Sequence, residues 1–229
     1  MWQSLSKINL ARRPVAVGFL ASAPVGMARI ERPAAAGCGY WKLASEGQAF
    51  YTAADDHQNC PIGAYTHGVA LSPAKAEELQ SLMGTMIQLQ YLKSEEIPGI
   101  PHRTAPMQVA AYAPADEATF AADVVIFGGN ARQIMLLSEA ARAAGAFETG
   151  TTMGRPACAM LPQAISSASS VASVGCIGNR VYTGLDDEEM YLTVPAPSLG
   201  AMLEKLDTII NANVELEKFH RQRAATLGN

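Results

Sequence analysis

The chain has 229 residues, 49% of them apolar and 17% charged, with a net charge of −4. That is enough for one large domain or two small ones around a real core, and the mild negative charge with no basic stripe argues against nucleic-acid binding. The run Val15 to Leu20, after Lys7, Arg12 and Arg13, is too short for a signal-peptide core or a membrane span, so no membrane association and a cytoplasmic location are expected.

Pro14 to Leu20 reads as a short apolar strand. Gly37 to Tyr65 reads as loop and carries two cysteines. Ser72 and Pro73 open a helix as N-cap and first helical residue, and Leu79, Leu82, Met83, Met86, Ile87 and Gln90 give it an apolar face to about Leu92. Pro98, Gly99 and Pro101 break the chain. Met107 to Ala113 and Asp123 to Phe127 are predicted strands. Gly128-Gly129-Asn130 is a predicted turn into a helix from Ala131 to Ala144, which makes one βα unit. Thr149 to Gly154 reads as a polar loop. Val171 to Cys176 and Met190 to Val194 read as strands. Ser198 caps a final helix whose face is Leu199, Met202, Leu203, Leu206, Ile209 and Ile210, and whose end, Glu215 to Arg223, is charged and solvated. The fold class expected is α/β or α+β, a mixed sheet with flanking helices.

The whole chain reads as a single domain, with a hint of two similar halves, about 1–105 and 106–229. Cys60-Pro61-Ile62-Gly63 with Tyr65-Thr66-His67-Gly68 echoes Cys176-Ile177-Gly178 with Tyr182-Thr183-Gly184. Cys38 lies 22 residues before Cys60, and Cys158 lies 18 before Cys176. A pseudo-two-fold duplication would bring the pairs Cys38/Cys60 and Cys158/Cys176 to one point.

A large cytosolic chain with four cysteines is expected to keep them reduced, which brings metal or redox chemistry forward. Each cysteine has Gly or Pro neighbours, which favour tight turns with backbone N–H groups near sulfur. Four thiolates suit a four-iron, four-sulfur cluster. Zinc suits them less, because no C-x-x-C pair is present. Two other readings stay open: buried inert thiols, and a catalytic thiol at Cys60 or Cys176.

His67 is the acid–base candidate, and either it or His57 could replace a cysteine ligand, although a solvated loop position suits His57 better. His102 lies in a proline-rich loop, and His220 belongs to the charged helix face. Arg180, near Cys176, could bind a carboxylate or phosphate, or pair with the acids Asp186 to Glu189. That acidic run reads as a solvated turn. Gly128-Gly129-Asn130 with Arg132 and Gln133 could seat a phosphate, although the complete glycine fingerprints are missing. Tyr40 and Trp41 either shield a cofactor or fill the core.

The chain resembles the uncharacterised ArCR family, domain of unknown function 169. The resemblance is carried by Arg13-Pro14-Val15-Ala16-Val17, Cys38-Gly39-Tyr40-Trp41 with Glu46-Gly47, and Cys60-Pro61-Ile62-Gly63. It continues in Asp123 to Phe127 with Arg132-Gln133-Ile134-Met135, Pro156-Ala157-Cys158, and Gly175-Cys176-Ile177-Gly178-Asn179-Arg180, and closes with Asp186-Asp187-Glu188 and Val194-Pro195. It implies that the four cysteines act jointly and leaves the reaction open.

The resulting expectation is an iron–sulfur protein with Cys38, Cys60, Cys158 and Cys176, or three of them, as ligands. It would transfer electrons to a redox partner, or bind a small anionic substrate with His67 and Arg180 assisting. The alternatives are a phosphate-cofactor binding protein with structural thiols and a cysteine-nucleophile enzyme. The apolar helices permit a homodimer, although core burial explains them equally well.

Overall fold

The computed structural model describes residues 2–153 and 155–227. The strands are Val15–Leu20 (β1), Phe50–Ala53 (β2), Val109–Pro114 (β3), Val124–Asn130 (β4), Phe147–Met153 (β5), Ser170–Ser173 (β6) and Glu189–Pro195 (β7). The helices are Gly39–Ser45 (α1), Pro61–His67 (α2), Pro73–Gln88 (α3), Ala131–Ala143 (α4), Met160–Ser167 (α5), Ile177–Thr183 (α6) and Ala196–Leu227 (α7).

The seven strands form one sheet in the order β2-β3-β1-β4-β7-β6-β5. Neighbours are antiparallel except β5 and β6, which run parallel at one end. The expected mixed sheet with flanking helices is therefore present.

Strand alternation builds two cores. Val15 and Val17 of β1 and Val124 and Ile126 of β4 enter one of them, with Tyr112, Val171 and Tyr191. Tyr40 and Trp41 of α1, Ala64 of α2, Cys38, Cys158 and Leu161 cover that face. The intervening residues Ala16, Val125, Phe127, Leu192 and Val194 enter the second core, against Ile134, Leu137 and Ala141 of α4 and Met202, Leu203 and Leu206 of α7. The two long amphipathic helices thus take one face. The short cysteine-bearing helices take the other.

The structure corrects several expectations. Gly37 to Tyr65 is not simply loop: it contains α1, β2 and α2, elements too short for a periodic signal. Gly128 and Gly129 do not turn. They continue β4 opposite Tyr191 and Met190. A Cβ at Gly128 would lie 3.1 Å from Arg12 Cδ, and one at Gly129 only 2.6 Å from Gln133 Oε1, so these glycines admit side chains that cross the strand. Thr149 to Met153 belongs to β5 rather than to a loop, and Gly154 lies outside the described residues. The strand expected from Val171 to Cys176 stops at Ser173, and the unanticipated α6 starts at Ile177. α5 was also unanticipated. The last helix begins at Ala196, so Ser198 lies within it and caps nothing. On α3, Ser72 Oγ accepts from the Lys75 N–H at 3.4 Å as expected, but no residue of the helix is buried.

The internal two-fold is not displayed. β3, from the second half, lies between β1 and β2 of the first. The echo survives only locally: α2 and α6 are both seven residues long, start after a cysteine N-cap, and end at a glycine with positive φ, Gly68 at 74° and Gly184 at 62°.

Candidate functional site

Three of the cysteines occupy helix N-caps: Cys38 before α1, Cys60 before α2 and Cys176 before α6. Cys158 lies in the short 3-10 turn Ala157–Ala159 that leads into α5. Packing crosses the two halves of the sequence. α1 lies against α6, and α2 lies against the Cys158 turn. None of the four is in a disulfide. Cys38 and Cys158 are buried, and Cys60 and Cys176 are partly exposed.

Burial pushes the Cys38 thiol up to about 12, and the sulfurs of Cys60 and Cys176 add to the rise. Asn179 beside it works in the opposite direction. Cys158 is held well above its ordinary value by burial first, then by Cys60, with Cys38 and Cys176 contributing. Thr66 Oγ1 opposes this by donating to Cys158 Sγ at 3.2 Å. The four thiols therefore lie within electrostatic reach of one another. Among the described residues, no group of three His, Cys, Asp or Glu side chains is close enough to hold a single metal ion.

Two unpartnered polar groups follow these cysteines in the chain, Asn179 three residues after Cys176 and Trp41 three after Cys38. Asn179 is buried and neither of its amide atoms completes a hydrogen bond, and the indole N–H of buried Trp41 is also unpartnered. Trp41 meets Tyr191 edge-on at 5.8 Å, and Tyr40 donates from its hydroxyl to the Asp56 carbonyl at 2.6 Å. The two aromatics after Cys38 are thus both core residues and close neighbours of that cysteine.

His67 is wholly buried, and neither ring nitrogen has a hydrogen-bond partner, although the Cys158 backbone lies nearby. Burial, His57 and Arg103 push its pKa down to about 3. His57 is not a solvated loop residue, as its flanking sequence suggests. It is 2% exposed, and burial pushes its pKa down to about 4. Thr52 Oγ1 donates to the Ala110 carbonyl at 3.2 Å and contacts His57 Nε2 at 2.8 Å. With its proton committed, the hydroxyl must accept from Nε2–H, which leaves a bare lone pair on Nδ1. That nitrogen has no partner. A Cβ on Gly37 would lie 3.7 Å from His57 Nδ1 and 4.0 Å from His67 Nδ1, so the missing side chain leaves the space between the two imidazoles free.

Arg180 turns inward. It donates to the carbonyls of Val174 at 2.7 Å and Asp186 at 2.6 Å, and more weakly to those of Leu185 and Glu189. Its guanidinium holds the α6 turn together. Asp186, Asp187 and Glu188 are exposed as expected, but Glu189, expected in the same solvated turn, is buried, begins β7 and pairs with Arg12. At the N-terminus of α4, Asn130 and Gln133 cap each other's backbone N–H, and Arg132 pairs with Glu217 at 2.9 Å. His102 is exposed and contacts Tyr65, and His220 is exposed on α7. Sequence reasoning missed Thr52, Thr66 and Asn179, whose residue types carry no motif. It also underrated His57, for which only the proximity of Cys60 was a signal.

A three-layer α/β protein with four reduced cysteines on one sheet face is the class that fold and site define. The chain belongs to the family of uncharacterised ArCR proteins, domain of unknown function 169, whose model matches residues 5–205. It is 26% identical over 170 residues to an uncharacterized protein of Methanocaldococcus jannaschii, covering 71% of each chain. No solved structure matches. Among the described residues no helix is long and apolar enough to cross a membrane.

Proposed function

We propose that this chain is an iron–sulfur protein whose cluster, of the four-iron type, is held by Cys38, Cys60, Cys158 and Cys176. With all four ligating, its chemistry is electron transfer to or from a redox partner. With three, one iron stays open to a small anionic substrate. The reading is carried by one observation: four unoxidised thiols from four separate segments are gathered by the packing of α1 on α6 and of α2 on the Cys158 turn, where burial first and the neighbouring thiols second raise the cost of ionising Cys38 and Cys158. Four thiolates in a half-buried region repel one another. A multiply charged iron core offsets that repulsion and deprotonates the thiols on binding. A core of several irons also suits sulfurs that stand too far apart to share one ion, so zinc fits less well.

The unpartnered amide of Asn179, beside the Cys38 thiol, supports the same reading, since hydrogen bonds to cluster sulfur stabilise it and set its potential. His67, buried and neutral, is the acid–base group of the open-iron form. The Arg180 guanidinium is taken up by the Val174 and Asp186 carbonyls and is not free to bind an anion. The phosphate-cofactor alternative has little support, because the α4 cap is filled and Arg132 is paired. The thiol-enzyme alternative would rest on Cys60 or Cys176, the two partly exposed cysteines at helix N-caps.

The test is anaerobic purification followed by a visible spectrum and assays of iron and acid-labile sulfide. Four irons and four sulfides per chain are expected for the proposed cluster. A colourless, iron-free protein from iron-replete cells would overturn it. Serine at each cysteine in turn counts the ligands, and full cluster retention in three of the four variants refutes the four-ligand form.

A further inference from the structure

Four large apolar side chains near the partly exposed Cys176 face solvent. Ile177 and Val181, one turn apart on α6, are 69% and 71% exposed, and Val174 and Tyr182 are also exposed. Their positions in the sequence bracket Cys176, the N-cap of that helix. Exposed apolar side chains in such a group mark a contact surface more often than chance scatter does. The acidic turn Asp186-Asp187-Glu188 abuts them. The Arg180 guanidinium bonds the Val174 and Asp186 carbonyls at once, and lies 3.8 Å from the Asp187 carboxylate, which is fully exposed. The turn sets three exposed carboxylates against that one guanidinium, so its outer edge stays negative.

We propose that this surface is the docking site for a redox protein whose own contact face is apolar with a basic rim, and that single electrons cross there by way of the Cys176 edge of the cluster. The inference rests on the iron–sulfur reading above. A second copy of the chain fits the surface less well. A second copy would bring the same net charge of −4 to the contact, and like charges across an interface are costly. A basic rim is instead attracted and steered toward the apolar centre. In each event one electron passes between the cluster and the partner's centre, one being oxidised by one unit and the other reduced by one. No bond forms or breaks.

The test uses the anaerobic cluster-loaded protein, chemically reduced and freed of reductant, mixed rapidly with ferricytochrome c. This probe carries lysines around an apolar haem edge and accepts one electron to become ferrocytochrome c. The second-order rate is expected to fall with rising ionic strength. It is also expected to fall about tenfold or more at low salt in Asp186→Lys/Asp187→Lys/Glu188→Lys, and comparably in Ile177→Lys/Val181→Lys. Glu215→Lys, on the far part of α7, should leave it unchanged. Iron and sulfide are measured in every variant, so the rates compare proteins with equal cluster content. An intact cluster with rates indifferent to both sets of substitutions overturns the docking site alone. A protein without iron overturns the iron–sulfur reading beneath it. A wild-type dimer in sedimentation that Ile177→Lys converts to monomer, with the cytochrome c rate unchanged, assigns the surface to self-association and overturns the proposal.

Discussion

His57 owes its tautomer to one hydroxyl. Thr52 spends its proton on the Ala110 carbonyl and must accept from His57. Thr52→Val removes that acceptor and leaves the buried imidazole N–H short of a partner. The expected loss is about 1–3 kcal/mol in denaturant unfolding of the iron-free protein, with cluster content in the loaded protein largely kept. The two buried histidines also predict a pH dependence. Their folded pKa values of about 4 and about 3 lie below the ordinary 6.5, so the unfolded chain binds more protons as the pH drops. Their contribution is complete above about pH 6.5 and is lost as pH falls toward 4 for His57 and 3 for His67. The slope approaches about 1.4 kcal/mol per pH unit per histidine. Unfolding midpoints of the iron-free protein from pH 7 to pH 4 should fall less steeply in His67→Phe than in the wild type. Equal slopes would show that His67 does not keep its proton off in the folded state.

At the scale of elements, two arginines act as staples. Arg12 pairs with the nearly buried Glu189 at 2.8 Å and also donates to the Thr183 and Gly184 carbonyls, fastening the end of α6 to β7. Arg12→Met leaves the Glu189 charge without its counter-ion and should cost about 3–5 kcal/mol. Glu189→Gln in the same chain should restore a good part of it. A double variant no more stable than Arg12→Met would show that the loss comes from packing or from the carbonyl contacts. Arg180→Ala frees the carbonyls of Val174 and Asp186. Amide exchange over residues 174–189 should accelerate well before exchange in the central strands, because the turn has few other ties. Uniform acceleration throughout the chain would mean that Arg180 stabilises the fold globally.

At the scale of the molecule, the sheet separates two jobs. The face of α4 and α7 is a conventional core. The other holds the cysteines, the buried histidines and Asn179. Leu137, wholly buried on the first face, should cost about 2–5 kcal/mol when replaced by Ala, with iron and sulfide content unchanged in the material that folds. Removing iron by chelation should have the reverse pattern. Hydrogen exchange should rise in α1, α2, α6 and the Cys158 turn, while α4 and the first third of α7 stay protected. Equal loosening of both faces would show that the faces are not independent.

Much of this was legible in the residue order. The apolar runs at Val15 and Val124 became central strands, because their burial needs only alternation on two covered faces. Ala131 to Ala143 and the final helix followed from apolar spacing, which is a local property, although the cap read at Ser198 lies inside the helix. The Gly and Pro neighbours of the cysteines read as tight turns, and in three cases the turn proves to be the start of a short helix; the family followed from the same motifs. Tertiary structure decided the rest. Neither the pairing of α1 with α6 nor that of α2 with the Cys158 turn can be read from spacing, because each joins segments more than ninety residues apart. The burial of His57, the inward turn of Arg180 and the insertion of β3 between β1 and β2 depend on which neighbours arrive. The sequence by itself determined the central strands, the two long helices of the second core and the Gly or Pro setting of four cysteines. Only long-range packing, which trades chain entropy for burial, decided that those thiols would come within reach of one another's charge.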